Sequence, residues 1–505
     1  MLALSPVFRD HMILQRNKPV RITGTASPCA AILVRFDQAF FYTDSDRSGN
    51  WTVKVPPHDI GGDPHEIYVI SEGEELRISD VLFGDVWVAG GQSNMELRLQ
   101  NCDQKELQSV SKKNTSIRFY SASDGKNARW YICNASDRLK MSGVAFYFAN
   151  EVFMLTKIPI GIIDCSYGGS SISNWISTGT LEKTEVGRTY IKKYESAAKD
   201  VTYEQYLHAL SEFKSKADDW NEKTINYRLD HPESSWKQIL DIYGMAPWPE
   251  PVGPGSPFCP GALYDTMLMP LCSLSIAGFL FYQGEADAYN HRYYADLMRQ
   301  MVFDWRAIWK DEALPFLFVQ LPMFRFSSDA EDYNWPNQRL AQERAAQIIP
   351  HAYMAVVTDQ GEMDNIHPTS KKDVGERLAK LALRYIYGLN IEAEAPGPDR
   401  VYRDLPDKLR IDFRNTGGRL VSKGDEIKTL EISEDGGDFH AANAKIDRNS
   451  LIIDVDPGSV HFVIRYAWAS FCTINIWGSN GLPLRTFQLD FSSRQQSALV
   501  SSIKE

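Results

Sequence analysis

The sequence lacks the features that mark several large classes of protein. It contains no uninterrupted apolar run of about 18 residues, the length that a membrane-spanning helix needs. Lysine and arginine number 54 against 65 aspartates and glutamates, which gives a formal net charge of −11. We therefore expect neither a nucleic-acid partner nor binding to an anionic membrane, since both require clustered positive charge.

Two further absences bear on compartment and on metal content. The first ten residues show no basic segment followed by an apolar core, so they do not resemble a signal peptide. We expect a cytoplasmic location, or a secreted or periplasmic one if a leader has been removed. The seven cysteines are scattered and never spaced as Cys-x-x-Cys, which favours reduced thiols over a disulfide framework or a zinc site.

What the sequence does contain is a change of pattern along its 505 residues, a length that indicates several domains. Residues 1–80 predict an N-terminal β domain of short alternating strands between turns. Residues 81–180 and 259–392 alternate apolar strands with helical patterns, which is typical of a parallel sheet with crossover helices. Residues 181–258 predict a helical insertion that ends in a stiff Pro/Gly loop, and residues 399–491 predict a C-terminal β domain.

The two α/β parts contain elements that can be placed individually. Apolar runs and helical periodicity predict strands at 158–165, 277–282, 315–320 and 354–358, and helices at 144–155 and 369–387. Gly388 follows the second of these helices as a candidate C-terminal cap. The loops that follow the ends of these strands are the places where functional residues are expected.

One stretch presents a serine in a setting suited to nucleophilic attack. Residues 84–95 read Gly-Asp-Val-Trp-Val-Ala-Gly-Gly-Gln-Ser-Asn-Met, a buried strand followed by two glycines that permit a sharp turn. Ser93 then stands at the start of a predicted helix, where free N–H groups and the helix dipole favour negative charge. The motif is not Gly-x-Ser-x-Gly, because Met95 replaces the second glycine, and this counts against an α/β-hydrolase elbow.

A serine hydroxyl needs a neighbouring base, and the base needs an orienting acid. His367 follows a predicted buried strand in the carboxylate-rich loop 359–368. Ligands of an open parallel sheet bind at the carboxyl ends of its strands, so His367 and Ser93 can converge there. Asp364 precedes His367 by three residues and can reach back to the imidazole.

Two further strand ends can supply donors to an oxyanion. Gly168 and Gly169 leave a bare backbone N–H after one strand, and the side-chain amide of Gln283 follows another. Each motif alone is weak. Four strand-end loops that each carry one part of a hydrolase are far less easily explained by chance.

Together these blocks resemble those of the SGNH-type carbohydrate esterases, in particular the sialate O-acetylesterase branch. The blocks are Gly-Gln-Ser-Asn-Met at 91–95, Tyr-Gly-Gly-Ser at 167–170 with Trp175, Tyr-Gln-Gly-Glu at 282–285, and Asp-Asn-Ile-His-Pro at 364–368. Three further segments, residues 14–16, 263–267 and 465–469, also resemble motifs of that branch. The resemblance covers most of the chain and is weakest in the insertion.

The resemblance implies an α/β fold: a three-layer α/β/α SGNH hydrolase core with a parallel sheet, flanked by N-terminal and C-terminal all-β domains. It implies removal of an O-acetyl group from a sugar through an acetyl-enzyme, without metal or cofactor, with 9-O-acetylated sialic acid as the expected substrate. Ser93 would be the nucleophile, His367 the base and Asp364 its orienting acid. The Ser93 and Gly169 N–H groups and the Gln283 amide would form the oxyanion hole.

Several residues beside these blocks are candidates for substrate contact. They are Trp175 as a sugar platform or a packing residue, Glu285, which could also steady its loop, Trp335, and Arg344 or its neighbour Arg339, whose guanidinium could clamp a sialic-acid carboxylate. Asp287 belongs to an Ala-Asp pair that replaces the Ser-Asn more usual in the branch. We expect this change to affect the acceptor side of the pocket.

Two alternatives stay open. A hemicellulose acetylesterase acting on xylan, xyloglucan or mannan would use the same blocks. A carbohydrate-binding protein with an inert core is a third reading, against which the intact Ser93, Asp364 and His367 argue. A glycosidase built on Glu285 and Asp359 would explain neither Ser93 nor the Gly168–Gly169 turn. The expected partner is an acetylated sugar; a homo-oligomer is left open, and so is a role of the insertion as lid or subunit contact.

Overall fold

The computed structural model describes residues 1–60, 63–231, 233–234, 236–325 and 334–492. It has a mixed α/β architecture, with a central sheet and additional β structure at both ends of the chain. Within the described ranges, no helix combines the length and the apolar character that a membrane crossing requires.

The N-terminal part consists of short strands. They are Ala3–Leu4, Ile13–Gln15, Val20–Thr25, Ala31–Phe36, Ala39–Asp44, Asn50–Val55 and His65–Ser71. Buried and exposed residues alternate along Asn50–Val55, where Trp51, Val53 and Val55 face the core. This alternation is the pattern of a sheet with one face in solvent, and it agrees with the β structure predicted for 1–80.

One long strand, Glu74–Gly91, connects this part to the central sheet. Its beginning pairs antiparallel with His65–Ser71, and its end pairs in parallel with Ile160–Ser166 and Gly278–Tyr282. Val86 and Val88 pack in one hydrophobic core while Trp87 and Ala89 pack in another. The strand is therefore buried on both faces where it approaches Ser93, and it runs without interruption across residue 80.

The central sheet follows one path of neighbouring strands. Their spatial order is Trp130–Cys133, Asn114–Ser121, Ile160–Ser166, Glu74–Gly91, Gly278–Tyr282, Phe316–Val319 and Ala352–Ala355. Every neighbouring pair is parallel except the first, which is antiparallel. The predicted strands at 158–165, 277–282 and 315–320 agree with this sheet to within about two residues, an ordinary error at strand ends. The strand predicted at 354–358 begins two residues earlier and ends at Ala355.

Helices cover both faces of the sheet. Gly143–Thr156 and Lys372–Tyr385 contribute to the core that contains Trp87, and His291–Trp309 contributes to the core that contains Val88. Asn334–Ile348 packs beside His291–Trp309 and the strand Ala352–Ala355. The Ser142 hydroxyl caps Gly143–Thr156 by accepting from the Ala145 N–H at 3.2 Å.

The insertion is helical, as predicted. Its helices are Thr178–Leu181, Glu185–Ala198, Tyr203–Asp230 and Trp236–Tyr243. The longest begins with a capping box, in which the side chains of Thr202 and Gln205 each accept from the backbone N–H of the other. The chain then returns to the central sheet through residues 244–257, which carry no regular helix or strand.

The C-terminal β part has a hydrophobic core of its own, built from residues such as Leu409, Ile432 and Phe462. Its strands are Gly397–Leu405, Lys408–Arg414, Leu420–Ser422, Leu430–Glu434, His440–Ala441, Ala444–Asp447, Ser450–Asp454, His461–Tyr466, Ile476–Gly478 and Phe487–Ser492. Arg485 ties this part to the rest through ion pairs with Glu343 at 2.6 Å and Glu394 at 3.2 Å.

Candidate active site

Ser93 lies at the carboxyl end of the long strand, directly after a turn that requires glycine. Gly91 has φ +127°, and a Cβ there would overlap the backbone of Tyr282 in the neighbouring strand. Ser93 starts the one-turn helix Ser93–Glu96, and the chain leaves the helical conformation at Leu97. The longer helix expected here was wrong, so a helix dipole contributes little at this position.

Ser93 and His367 are in hydrogen-bond contact, although 274 residues separate them. His367 Nε2 lies 2.8 Å from Ser93 Oγ. The loop before His367 is braced internally, because Asn365 accepts from the His367 N–H at 3.0 Å and donates to the His367 carbonyl at 2.9 Å. The two side chains are thus held in the geometry that proton transfer between them needs.

Burial and a neighbouring lysine keep this histidine neutral. Burial and the positive charge of Lys371 lower the pKa of His367 to about 4. Lys371 is itself buried, donates from Nζ to Asn94 Oδ1 at 2.7 Å, and has a pKa lowered to about 8 by burial. The imidazole is therefore neutral near pH 7 and able to accept the serine proton. Sequence reasoning missed Lys371, since Ser-Lys-Lys before a helix is typical of a solvated surface.

The carboxylate of Asp364 pairs with an arginine. Its side chain is 51% exposed, and its carboxylate lies 3.3 Å from the guanidinium of Arg325. Among the described residues, no hydrogen bond joins Asp364 to His367. The role of Asp364 as the orienting acid stays a prediction.

Two backbone N–H groups near Ser93 are available to an oxyanion. Within the ranges that the structure describes, the N–H groups of Ser93 and Gly169 have no hydrogen-bond acceptor. Gly169 adopts φ +71°, and a Cβ on Gly168 would lie 3.8 Å from the Cβ of Ser93. The Gly168–Gly169 turn therefore stands beside the serine.

Gln283 lies close by, but its amide is already engaged. It is 1% exposed, and its Nε2 lies 2.6 Å from Asp287 Oδ2, 3.1 Å from Gln92 Oε1 and 3.2 Å from the Ser170 carbonyl. Tyr294 donates to its Oε1 at 2.9 Å, which fixes the orientation of the amide. An amide has two hydrogens, so Gln283 has no free N–H for an oxyanion in this arrangement. It links the loops that surround the serine.

Comparison with known proteins assigns these blocks to a family. The sequence model of the carbohydrate esterases described as sialic acid-specific acetylesterases matches residues 83–223 and 255–384. The match covers more than half of the chain and includes all four blocks. The chain belongs to this family.

Individual relatives agree with that assignment. The esterase is 26% identical to the mouse sialate O-acetylesterase over 523 aligned positions, which cover 92% of this chain and 88% of the relative. The rat sialate O-acetylesterase is 27% identical, with 84% and 80% covered. A carbohydrate acetylesterase from Xanthomonas citri superimposes with a TM-score of 0.77 at 27% identity, over 97% of this chain and 100% of that one. The chain is thus a carboxylic ester hydrolase.

Asp287 is a buried residue of the esterase. It has no exposed surface, and it accepts from the Ile172 N–H at 2.8 Å and the Tyr190 hydroxyl at 2.6 Å, in addition to Gln283. Its effect on the acceptor side of the pocket stays a prediction, and a buried side chain can exert such an effect only through the loops that it joins. It holds Gln283 and connects it to Tyr190 of the insertion.

Three of the expected substrate contacts are also buried in the esterase. Trp175 has no exposed surface and donates to Ser170 Oγ at 3.0 Å, and Trp335, 1% exposed, donates to the Pro322 carbonyl at 2.8 Å. Glu285 accepts from Asn94 Nδ2 at 2.6 Å. In this structure these side chains pack and brace the loops, which is the other interpretation given above for Trp175 and Glu285; their contact with substrate stays a prediction.

The two arginines have protein partners as well. Arg339 is fully buried and donates to the carbonyls of Ala467 and Ala469 in the C-terminal part. Arg344 lies 3.9 Å from Asp296 of the adjacent helix His291–Trp309. Arg339 therefore has no exposed guanidinium for a substrate carboxylate, and a contact of Arg344 with substrate stays a prediction.

Sequence reasoning missed an aromatic residue of the insertion that reaches the site. Trp248 packs on the Gly168–Gly169 turn, since a Cβ on Gly169 would overlap the indole ring. Glu250, two residues later, accepts from the Tyr167 hydroxyl at 3.0 Å. The Pro/Gly composition of 247–255 indicated only a stiff loop and gave no sign of what that loop contacts.

Proposed function

We propose that this esterase removes O-acetyl groups from carbohydrate through an acetyl-Ser93 intermediate, on a three-layer α/β/α SGNH hydrolase core. The observation that carries the proposal is the 2.8 Å contact between Ser93 Oγ and His367 Nε2, beside two unengaged backbone N–H groups. Membership of the carbohydrate esterase family supports the same reaction.

In the first half-reaction, Ser93 Oγ bonds to the acetyl carbonyl carbon while His367 Nε2 takes the hydroxyl proton. The N–H groups of Ser93 and Gly169 donate to the oxyanion that forms. The carbon–oxygen bond to the sugar then breaks, and His367 returns the proton to the sugar oxygen. A water molecule repeats the sequence on acetyl-Ser93 and releases acetate.

Two supporting roles belong to the same proposal. Asp364 is the candidate for the orienting acid, and to act so its carboxylate has to exchange Arg325 for His367. Gln283 can donate to the oxyanion only if it gives up one of its present acceptors.

The names of the mammalian relatives support 9-O-acetylated sialic acid as the substrate. One observation favours a neutral acetylated sugar, such as a hemicellulose unit, as a second candidate. Arg339, one of the two arginines expected to bind a sialic-acid carboxylate, is buried and donates to backbone carbonyls instead. A neutral sugar requires no such cation.

The first test is acetate release by the wild type from 9-O-acetylated sialic acid and from acetylated xylo-oligosaccharide. We expect Ser93→Ala to lower turnover by at least about 10⁴-fold while the circular dichroism spectrum is unchanged, because nucleophile and base act as a unit. Ser109→Ala, at an exposed serine that donates to the Glu106 carbonyl, is the matched control. Retained turnover in Ser93→Ala would refute the proposed nucleophile.

The sugar ester that the wild type hydrolyses decides between the two candidate functions. Release from sialic acid alone identifies a sialate O-acetylesterase, and release from xylo-oligosaccharide alone identifies a hemicellulose acetylesterase. Release from neither by a folded protein would refute the proposal and leave carbohydrate binding by an inert core.

A further inference from the structure

An exposed tryptophan lies within reach of the reacting ester. Trp248 is 67% exposed, yet its indole edge packs on Gly169, where a Cβ would overlap Cη2 and Cζ3 and lie 3.5 Å from Cζ2. The Gly169 N–H is one of the two groups available to the oxyanion. The sugar oxygen of a bound ester is bonded to the same carbon as that oxyanion, so the sugar ring begins only a few bonds away from the indole.

The segment that carries Trp248 is fixed at several points. Trp220 Nε1 donates to the Gly244 carbonyl at 3.1 Å before it, and the Tyr194 hydroxyl donates to the Gly253 carbonyl at 2.7 Å after it. Between them, Glu250 is bound by the Tyr167 hydroxyl. The indole is therefore held in place in the free protein, which reduces the entropy that ligand binding would cost.

A fixed aromatic face left open to water is suited to stacking. Large apolar side chains are normally buried, and an exposed aromatic ring beside a reactive group is typical of a binding surface. The C–H groups of a pyranose ring present an apolar face that can cover an indole and release water from both. Trp175 and Trp335, the tryptophans expected to serve as sugar contacts, are buried in this structure.

We propose that Trp248 is the platform on which the sugar ring of the substrate stacks, so that the helical insertion supplies the acceptor side of the site. This inference rests on the proposed function and names the residue that selects sugar esters over simple ones. It also gives the insertion a role at the site that the four blocks alone do not supply.

The test compares Trp248→Ala and Trp248→Phe with the wild type on three acetate esters. Two are the sugars, 9-O-acetylated sialic acid and acetylated xylo-oligosaccharide, and the third is ethyl acetate, which is too small to cover the indole. We expect Trp248→Ala to lower kcat/KM on the accepted sugar about 10-fold, mainly through KM, because a stacking contact is lost. Ethyl acetate hydrolysis should fall by a much smaller factor, and Trp248→Phe should restore part of the loss on the sugar. Tyr42→Ala removes an exposed aromatic residue of the N-terminal strand Ala39–Asp44 and is the matched control.

Two outcomes would overturn the inference while the esterase proposal stands. An equal loss on ethyl acetate and on the sugar would mean that Trp248 only supports Gly169. No loss on either sugar would mean that the ring does not stack there.

A separate measurement tests the role of Trp248 in sugar binding if the protein proves to have no esterase activity. If the wild type releases no acetate, tryptophan fluorescence of Ser93→Ala is titrated with acetylated xylo-oligosaccharide and with 9-O-acetylated sialic acid, with and without Trp248→Ala. Quenching that disappears with Trp248 supports the platform, and the absence of quenching refutes it.

Discussion

At the scale of single residues, a neutral base is the main electrostatic feature of the site. His367 must be unprotonated to accept the serine proton, and its pKa is lowered to about 4. We therefore expect kcat/KM to rise with pH through about 4, well below the ordinary value of about 6.5 for histidine. Circular dichroism at each pH separates this limb from acid unfolding.

Lys371 should account for part of that lowered pKa. Lys371→Met removes the positive charge beside the imidazole, so the protonated form is less disfavoured and the pKa of His367 should rise. The acid limb of kcat/KM should then move to higher pH. Lys372→Met is the matched control, because the neighbouring amine is bound at the surface by Ser109. An acid limb that stays in place would contradict the role given to Lys371.

Asp364 offers a second prediction at this scale. If its carboxylate leaves Arg325 and orients His367 during turnover, Asp364→Asn should lower kcat on the order of 10³-fold. Arg325→Met removes the competing partner and should retain or increase activity. Activity of Asp364→Asn near the wild-type level would show that Ser93 and His367 act as a dyad.

At the scale of elements, the insertion contacts the site at two places with different roles. Besides Trp248, the helix Glu185–Ala198 provides the Tyr190 hydroxyl, which donates to Asp287 at 2.6 Å, and Asp287 in turn holds Gln283. The Trp248 contact should affect mainly sugar esters, and the Tyr190 contact should affect every ester.

Tyr190→Phe tests the second contact. Loss of the hydroxyl should loosen Asp287 and Gln283 and lower kcat by about 5-fold on ethyl acetate and on sugar esters alike. Tyr203→Phe, an exposed tyrosine at the start of the next helix, is the matched control. A loss confined to sugar esters would show that Tyr190 contacts substrate instead.

The elements themselves were largely predictable, because burial on both faces leaves a clear apolar run. The helix predicted at 144–155 is observed as Gly143–Thr156, and the one at 369–387 as Lys372–Tyr385. The helix predicted to begin at Ser93 is a single turn, and a short 3₁₀ helix, Leu99–Asn101, follows it. The apolar residues Leu97 and Leu99 are two positions apart, which is not the spacing of a helix face, so the pattern did not support a longer helix.

Side-chain environments were less predictable, because they depend on distant segments. Ser93 and His367 were found from their places at strand ends, and the structure brings them together. Trp175 is buried because its indole N–H donates a hydrogen bond to Ser170 and its ring packs against Trp305, which is 130 residues away in the sequence. The contact of Trp248 with Gly169 likewise joins segments that no local pattern connects.

At the scale of the whole molecule, the chain combines a family core with parts at both ends that pack onto it. The C-terminal part is joined through carbonyls that accept from Arg339 and through ion pairs of Arg485. The N-terminal part is joined differently, since the strand Ile13–Gln15 pairs in parallel with residues 82–84 of the long strand. The side-chain amide of Gln15 also donates to the Asp85 carboxylate and accepts from the Val86 backbone N–H.

The unbroken strand Glu74–Gly91 makes the N-terminal β part and the catalytic sheet a single mechanical unit. A chain shortened to begin near residue 81 would remove the partners of residues 81–84 and of Asp85 together, leaving an apolar strand edge open to other molecules. Such a fragment would be expected to aggregate before its activity could be assayed. Its failure would report lost strand pairing and would carry no information about sugar binding by the N-terminal part.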